Sequence, residues 1–138
     1  MKILMLNHEY PPIGGGGGYA GRNILRQFAG RSDIELDVVV SRPQPPIVIE
    51  KFAENITLYR VGVRKKAMQF WTRLEMIQWM AKAYRIHKKL LQQNQYDLAH
   101  AFFGFPTAIA AELRMLLYGL ALVACMVWRP QGLFPADA

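Results

Sequence analysis

The sequence contains a single cysteine, Cys125, and no segment that resembles a signal peptide. One cysteine cannot form an internal disulfide, which excludes the class of small disulfide-stabilised secreted domains and favours a reducing compartment. Before the short apolar run that stops at Asn7, the N-terminus has only Lys2, and this is not the layout of a secretory signal. We therefore expect a cytoplasmic protein.

Metal-ligand spacing is also missing from the sequence. The three histidines, His8, His87 and His100, are far apart, and the cysteine lies in an apolar segment, so we predict no metal site. The net charge is +7, but no recognised nucleic-acid-binding motif accompanies it, and we expect no nucleic-acid partner.

Acidic residues are scarce between residues 60 and 90, where Glu75 is the one acid in a window with many Lys and Arg residues. The basicity of the chain therefore belongs to this one segment. With 138 residues, 52% of them hydrophobic and 20% charged, the chain is long and apolar enough for one globular domain.

A glycine run follows the first predicted strand, Ile3–Leu6, after the residues NHEYPPI. Gly14, Gly15, Gly16, Gly17 and Gly18 precede a segment with helical spacing, Tyr19–Arg31. A strand, a glycine-rich loop and a helix in this order suit a phosphate, because backbone N–H groups and a helix N-terminus point at the anion. The pattern predicts a phosphorylated ligand.

Two other interpretations of the glycine run remain open. Gly16, Gly18 and Gly21 match the pattern G-x-G-x-x-G of nicotinamide dinucleotide sites. That pattern should follow the strand immediately, whereas here residues 7–13 intervene and include two prolines, so the spacing counts against it. The run could also be a flexible loop without a ligand.

The remaining elements alternate between strands and helices. Strands are predicted at Ile34–Ser41, Asn55–Val63 and Tyr96–Phe103. A long amphipathic helix is predicted from Ala67 to Gln93. The expected fold is α/β, a Rossmann-like, mostly parallel sheet of about four strands in a three-layer arrangement.

The long helix has two interpretations. Its apolar residues recur at steps of three and four, and in the first interpretation they pack on the sheet and leave a solvated basic face outside. In the second, the cations contact an anionic membrane surface, with Trp71 and Trp79 near the boundary. The apolar positions are Phe70, Leu74, Ile77, Met80, Ala81, Tyr84 and Leu91.

Residues 1–107 resemble the N-terminal half of family 4 glycosyltransferases, which have the two-domain GT-B fold. The resemblance rests on EYPP (residues 9–12), a short spacer, the glycine cluster and then an aromatic residue and a helix. It implies retaining transfer from a nucleotide sugar to a glycosyl acceptor, without a further cofactor. The substrate-binding residues it implies are Glu9, Gly14, Gly15, Gly16, Gly17, Gly18, Tyr19 and His100.

His100 lies at the carboxyl end of the predicted strand 96–103, where ligands bind in open α/β sheets. Family 4 enzymes often have H-x-H here, but the residue two positions beyond His100 is Phe102. We therefore expect at most a substrate contact from His100, and we assign no catalytic residue. A core histidine bonded to backbone is the alternative.

Beyond Ala108 the expected pattern fails. Residues 115–128 carry no charge, yet a membrane span needs about 20 apolar residues. The tail LLYGLALVACMVWRPQGLFP resembles the C-terminal end of branched-chain amino acid transport permeases, in which RPQGL follows the last membrane helix. We predict a second segment, 108–138, that forms an apolar helix and serves as a membrane segment, a core element or a self-association surface.

Taken together, these patterns predict the acceptor-side half of a glycosyltransferase. The half that holds the nucleotide sugar is not recognisable in the sequence, so we expect little or no activity from the isolated chain. The alternatives are a catalytically silent module at the inner face of the cell membrane and a nicotinamide-binding Rossmann protein.

Overall fold

A computed structural model describes residues 1–103, which form five strands and two helices. The predictions for segment 108–138, including its apolar helix, lie outside the described residues. The elements in chain order are β1 (Lys2–Asn7), α1 (Gly16–Phe28), β2 (Glu35–Arg42), β3 (Val48–Ala53), β4 (Ile56–Gly62), α2 (Arg73–Gln93) and β5 (Leu98–Ala101).

The strands form one sheet in the order β3-β4-β2-β1-β5. Neighbouring strands are parallel except for β3, which pairs antiparallel with β4 at the edge. The prediction of a mostly parallel α/β sheet is therefore confirmed. Since the parallel strands share one direction, β1, β2, β4 and β5 all end at the same edge of the sheet.

Both faces of the sheet are covered. Along β1, Ile3 and Met5 join a core cluster that includes Leu25 of α1, whereas Leu4 and Leu6 join a second cluster on the opposite face. The second cluster contains Trp79, Ala83 and Leu90 of α2. Because alternate residues of a strand point to opposite faces, this division places the helices on opposite sides, in three layers.

Strand β3 was not predicted from the sequence. Its burial alternates weakly, and Ile49, which should mark an inward face, is 64% exposed. The strand also follows the prolines at 43, 45 and 46, which predict a loop. Pairing with β4, rather than local pattern, makes this segment a strand.

Helix α2 begins at Arg73 and not at Ala67 because its N-terminus is capped. The Thr72 hydroxyl accepts from the Glu75 amide, and the Glu75 carboxylate accepts from the Thr72 amide, which is a capping box. The Glu75 carboxylate also accepts from the Lys66 amide and from the Lys65 ammonium, at 2.8 and 3.0 Å. The single acid of the basic segment is thus a buried structural group.

The face of α2 that packs on the sheet is not the one the sequence predicted. Leu74 and Ile77, which were expected in the core, are 72% and 60% exposed. Trp79, expected near a membrane boundary, is fully buried. The helix is apolar on two sides, and the side that carries Trp79, Ala83 and Leu90 faces the sheet. Within residues 1–103, neither helix is long and apolar enough to cross a membrane.

The Glu75 carboxylate should contribute stability that acid removes. Burial raises the pKa of this carboxyl, but the hydrogen bonds from Thr72, Lys66 and Lys65 outweigh burial and lower the pKa to about 2. A depressed pKa adds stability that is complete above pH 4.5, the ordinary value, and is lost as pH falls through about 2.

We expect Glu75→Gln to lower the free energy of unfolding by about 3 kcal/mol at pH 7, because it leaves Lys65 buried without its partner. Urea unfolding between pH 7 and 2 measures this, and the deficit should shrink below pH 4.5. Glu35→Gln, which removes an exposed partner of Lys2, is the control, with a loss of about 0–1 kcal/mol. Equal losses in both variants would contradict the assignment.

Candidate functional site

The candidate site lies at the edge of the sheet where the parallel strands end. The chain leaves β1 at Asn7, runs through residues 8–15 and enters α1 at Gly16. The sequence predicts that the whole glycine run is a loop. In the structure Gly16, Gly17 and Gly18 instead form the first turn of α1. Only Gly14 and Gly15 remain in the loop.

Three of the five glycines have a structural reason to lack a side chain. Gly14 has a φ of +83°, and a Cβ there would lie 2.8 Å from the Glu9 side chain. At Gly17 a Cβ would lie 2.6 Å from the Phe103 ring, and at Gly18 it would lie 3.1 Å from the Ile13 carbonyl. Helix α1 can approach the loop after β1 only because these residues are glycines.

The other two glycines meet no such contact. A Cβ at Gly15 or Gly16 would have no atom within 4 Å. Gly15 is the N-cap of α1, no side chain caps the helix, and its first turn contains no acid. The first N–H groups of a helix lack intrahelical partners, so this uncapped end offers donors and a positive dipole to an anion.

Glu9 lies against this helix start. Its side chain packs on Gly14, and its Oε2 lies 2.9 Å from the point where a Cβ on Gly17 would be. The side chain is 22% exposed, and its Oε1 is 4.0 Å from Nε2 of His8. The structure therefore brings together predicted site residues Glu9, Gly14 and Gly17, with an acceptor group beside the donors of α1.

His8 is a buried residue of the site that the sequence prediction did not include. Its ring contacts those of Trp71, Trp79 and Phe103, with centroids 5.5, 6.0 and 5.0 Å away. Burial, followed by the charge of Lys65, lowers the pKa of His8 to about 4. The imidazole is therefore neutral at pH 7. Its Nδ1 has no hydrogen-bond partner within residues 1–103.

Lys65 supplies a buried positive charge below the site. Its side chain is 0% exposed, bonds the Glu75 carboxylate and the Phe70 carbonyl, and lies 4.0 Å from the centre of the Trp71 ring. Nothing in the sequence distinguished Lys65 from its basic neighbours. Its spacing from Glu75 becomes informative only once the capping box is known.

Hydrogen bonds hold the loop after β1 in place. The Gly14 amide donates to the Met68 carbonyl at 2.8 Å, which ties the loop to the segment between β4 and α2. Arg60 donates to the Pro11 carbonyl at 3.3 Å and pairs with Glu50 at 3.1 Å. The open end of α1 thus belongs to an anchored structure and not to a flexible glycine linker.

His100 and Tyr19, the other predicted site residues, are exposed. His100 on β5 is in register with Met5 on the neighbouring strand β1. The His100 ring contacts the Phe102 ring, with centroids 5.0 Å apart. Phe102 packs against the core cluster on the α1 side, at the position where H-x-H has its second histidine. Tyr19 is 57% exposed on α1.

The glycines of the dinucleotide pattern, Gly16, Gly18 and Gly21, all lie inside α1. A Cβ at Gly21 would lie 2.6 Å from Nδ2 of Asn7, so this residue lets the helix pack on the end of β1. In a dinucleotide site the first glycine instead makes the turn directly after the strand. Among residues 1–103, no three His, Cys, Asp or Glu side chains are grouped to hold a metal ion.

Comparison of the chain with known protein families and with curated proteins gave no match. The resemblance to family 4 glycosyltransferases stays a prediction.

Alanine at Gly16 and at Gly14 should have opposite effects on stability. Gly16 is helical with open space around it, so we expect Gly16→Ala to stabilise the protein by about 0.4–1 kcal/mol. Gly14→Ala should destabilise it by more than about 1 kcal/mol, because φ is positive and Glu9 occupies the space. Thermal unfolding measures both. Equal effects at the two positions would refute the division of the glycines.

Proposed function

We propose that the chain contributes to glycosyl transfer from a nucleotide sugar, as the acceptor-side, Rossmann-like half of a GT-B enzyme. The observation that supports this most is the uncapped start of α1, with Gly15 and Gly16 open and no acid in the first turn. It lies at the carboxyl edge of a mostly parallel sheet, where such folds bind ligands. The order EYPP, glycines and helix agrees with it.

In this proposal the diphosphate of the donor approaches the N–H groups of the first turn of α1. When the glycosidic bond to the diphosphate breaks, negative charge grows on the leaving oxygen. Fixed N–H donors and the helix dipole stabilise that charge without having to reorganise. The groups that bind the nucleotide itself belong to the second half of such an enzyme.

Glu9 has a different role in the proposal. A carboxylate this close to the helix start repels a second anion, so Glu9 is suited to accept a hydrogen bond from a sugar hydroxyl beside the diphosphate. Neutral His8, the first residue of the loop, is buried against aromatic rings and anchors the start of the loop. Tyr19 and His100, both exposed, are assigned substrate contacts only, and no residue is assigned acid or base catalysis.

Binding of a nucleoside diphosphate to variants of this edge tests the proposal. We expect uridine or guanosine diphosphate to perturb the amide NMR signals of residues 15–18. Gly16→Asp should weaken binding by about tenfold or more, although an acid in the first turn stabilises the helix by about 0.3–1 kcal/mol. Glu9→Gln should strengthen binding because it removes a like charge.

Gly16→Asp adds a negative charge at the start of α1, and Glu9→Gln removes one there. Opposite changes in affinity would therefore trace the effect to charge at this place. Asp33→Asn, which removes an exposed carboxylate paired with Arg31 on the loop after α1, is a control for Glu9→Gln and should leave affinity unchanged. Weaker binding by Glu9→Gln, or signals that move elsewhere in the protein, would count against a diphosphate at this helix start.

A second candidate is a membrane-associated module, and the outward face of α2 supports it. Leu74, Ile77, Tyr84 and Leu91 recur at helical spacing and are each at least 46% exposed. Lys88 lies among them. An exposed apolar stripe with cations is typical of helices that lie in the plane of an anionic membrane.

Flotation with vesicles of phosphatidylcholine and phosphatidylserine tests the second candidate. We expect binding that falls strongly in the double variant Leu74→Gln/Ile77→Gln, because two exposed apolar side chains are lost from the stripe. Ile24→Gln/Ile49→Gln removes two exposed isoleucines from other elements and should bind like the parent protein. Equal binding by both double variants would exclude the stripe as the membrane contact.

A further inference from the structure

A second concave site lies at the same edge of the sheet, between α2 and the segment that leads into β3. It has a volume of about 440 Å³, within the range of about 300–1,000 Å³ that small-molecule pockets occupy. Its walls are formed by residues 45–47, by Gly62 at the end of β4, and by one side of α2. None of its lining residues belongs to the loop after β1 or to α1.

The walls of this pocket are fixed by the backbone. A Cβ on Gly62 would lie 2.6 Å from the Gln44 carbonyl oxygen and 2.6 Å from Cα of Pro45, so the chain crosses directly over the end of β4. Arg42 donates to the Pro46 carbonyl at 3.3 Å, and Lys82 donates to the Gly62 carbonyl at 2.7 Å. These contacts hold residues 44–46 against the end of β4 and next to α2.

The surface that lines the pocket is almost entirely apolar. Pro45, Pro46, Ile47 and Ile86 supply carbon surface. Three cationic residues, Lys82, Arg85 and Lys89, follow each other at steps of three and four along α2 and contribute carbon atoms of their side chains to the same wall. Arg85 and Lys89 are exposed, so their charged ends lie in solvent beside the apolar surface.

Like charges at these spacings destabilise a helix by about 0.2–0.5 kcal/mol per pair. Within residues 1–103, the ion pairs include none of the three cations. The cationic row therefore costs the free protein stability and gains no neutralising partner from the described chain. An anion bound beside the pocket, next to the exposed Arg85 and Lys89, would supply one.

We propose that this pocket binds a phosphate monoester attached to an apolar group. Lys82 is already bonded to a carbonyl, which leaves Arg85 and Lys89, both exposed, to receive the ligand. Their two positive charges match the charge of about −1.5 to −2 that a phosphate monoester carries at pH 7. The apolar group lies against the two prolines and two isoleucines.

Hexyl phosphate is a suitable probe, with hexanol and inorganic phosphate as its two halves. We expect hexyl phosphate to shift the methyl NMR signals of Ile47 and Ile86 and to bind about tenfold or more tightly than either half. The double variant Arg85→Gln/Lys89→Gln should lose this binding. Arg73→Gln/Lys88→Gln removes two exposed cations from the same helix outside the pocket, and should keep it.

Gly16→Asp should also keep hexyl phosphate binding, so failure of the pocket and failure of the diphosphate site are distinguishable. No binding, equal binding of inorganic phosphate, or equal loss in both double variants would overturn the proposal. Vesicles of phosphatidylcholine with phosphatidic acid identify the source. Flotation that is lost in Arg85→Gln/Lys89→Gln indicates a lipid phosphate. Binding of hexyl phosphate that is lost in the same variant, without any flotation of the parent protein, indicates a soluble ester.

Discussion

The close approach of helix α1 to the loop after β1 is the constraint on which the candidate site depends. Gly17, Gly18 and Gly21 remove the side chains that would hold the two apart. Glu9 and Phe103 then occupy the space gained. The start of α1 is uncapped because Gly15 and Gly16, which meet no such contact, supply neither a capping side chain nor an acid. The glycine run thus combines three positions that packing requires with two that it leaves open.

A second constraint, the buried pair of Lys65 and Glu75, organises the opposite side of the site. The pair fixes where α2 begins and positions Trp71 under the Lys65 ammonium. The positive charge held there, together with burial, keeps His8 neutral at pH 7. Buried ion pairs add little net stability, because desolvation offsets their attraction. Here the pair has a geometric consequence, a fixed base for the loop that carries Glu9.

The sequence predicts this fold where the pattern is strong and local. β1, β2, β4 and β5 are apolar or alternating runs, and both helices lie close to their predicted positions. The prediction of which face of α2 is buried was wrong. Periodicity locates an apolar face without showing what covers it, and Trp79 and Ala83 form a second apolar face. Within the candidate site, Glu9 and the glycines were predicted from a motif, and nothing in the structure tests their role. His8 and Lys65 were not, since their roles arise from neighbours distant in sequence.

The two apolar faces of α2 have a consequence for how the domain reaches its structure. Trp79 and Ala83 lie on one side of the helix and Leu74 and Ile77 on the other, so the apolar pattern alone does not determine which side docks on the sheet. Glu75 is four residues from Trp79 and shares its side of the helix, where it pairs with Lys65. A rotation that buried Leu74 and Ile77 instead would separate the two charges, so the pair favours the orientation observed.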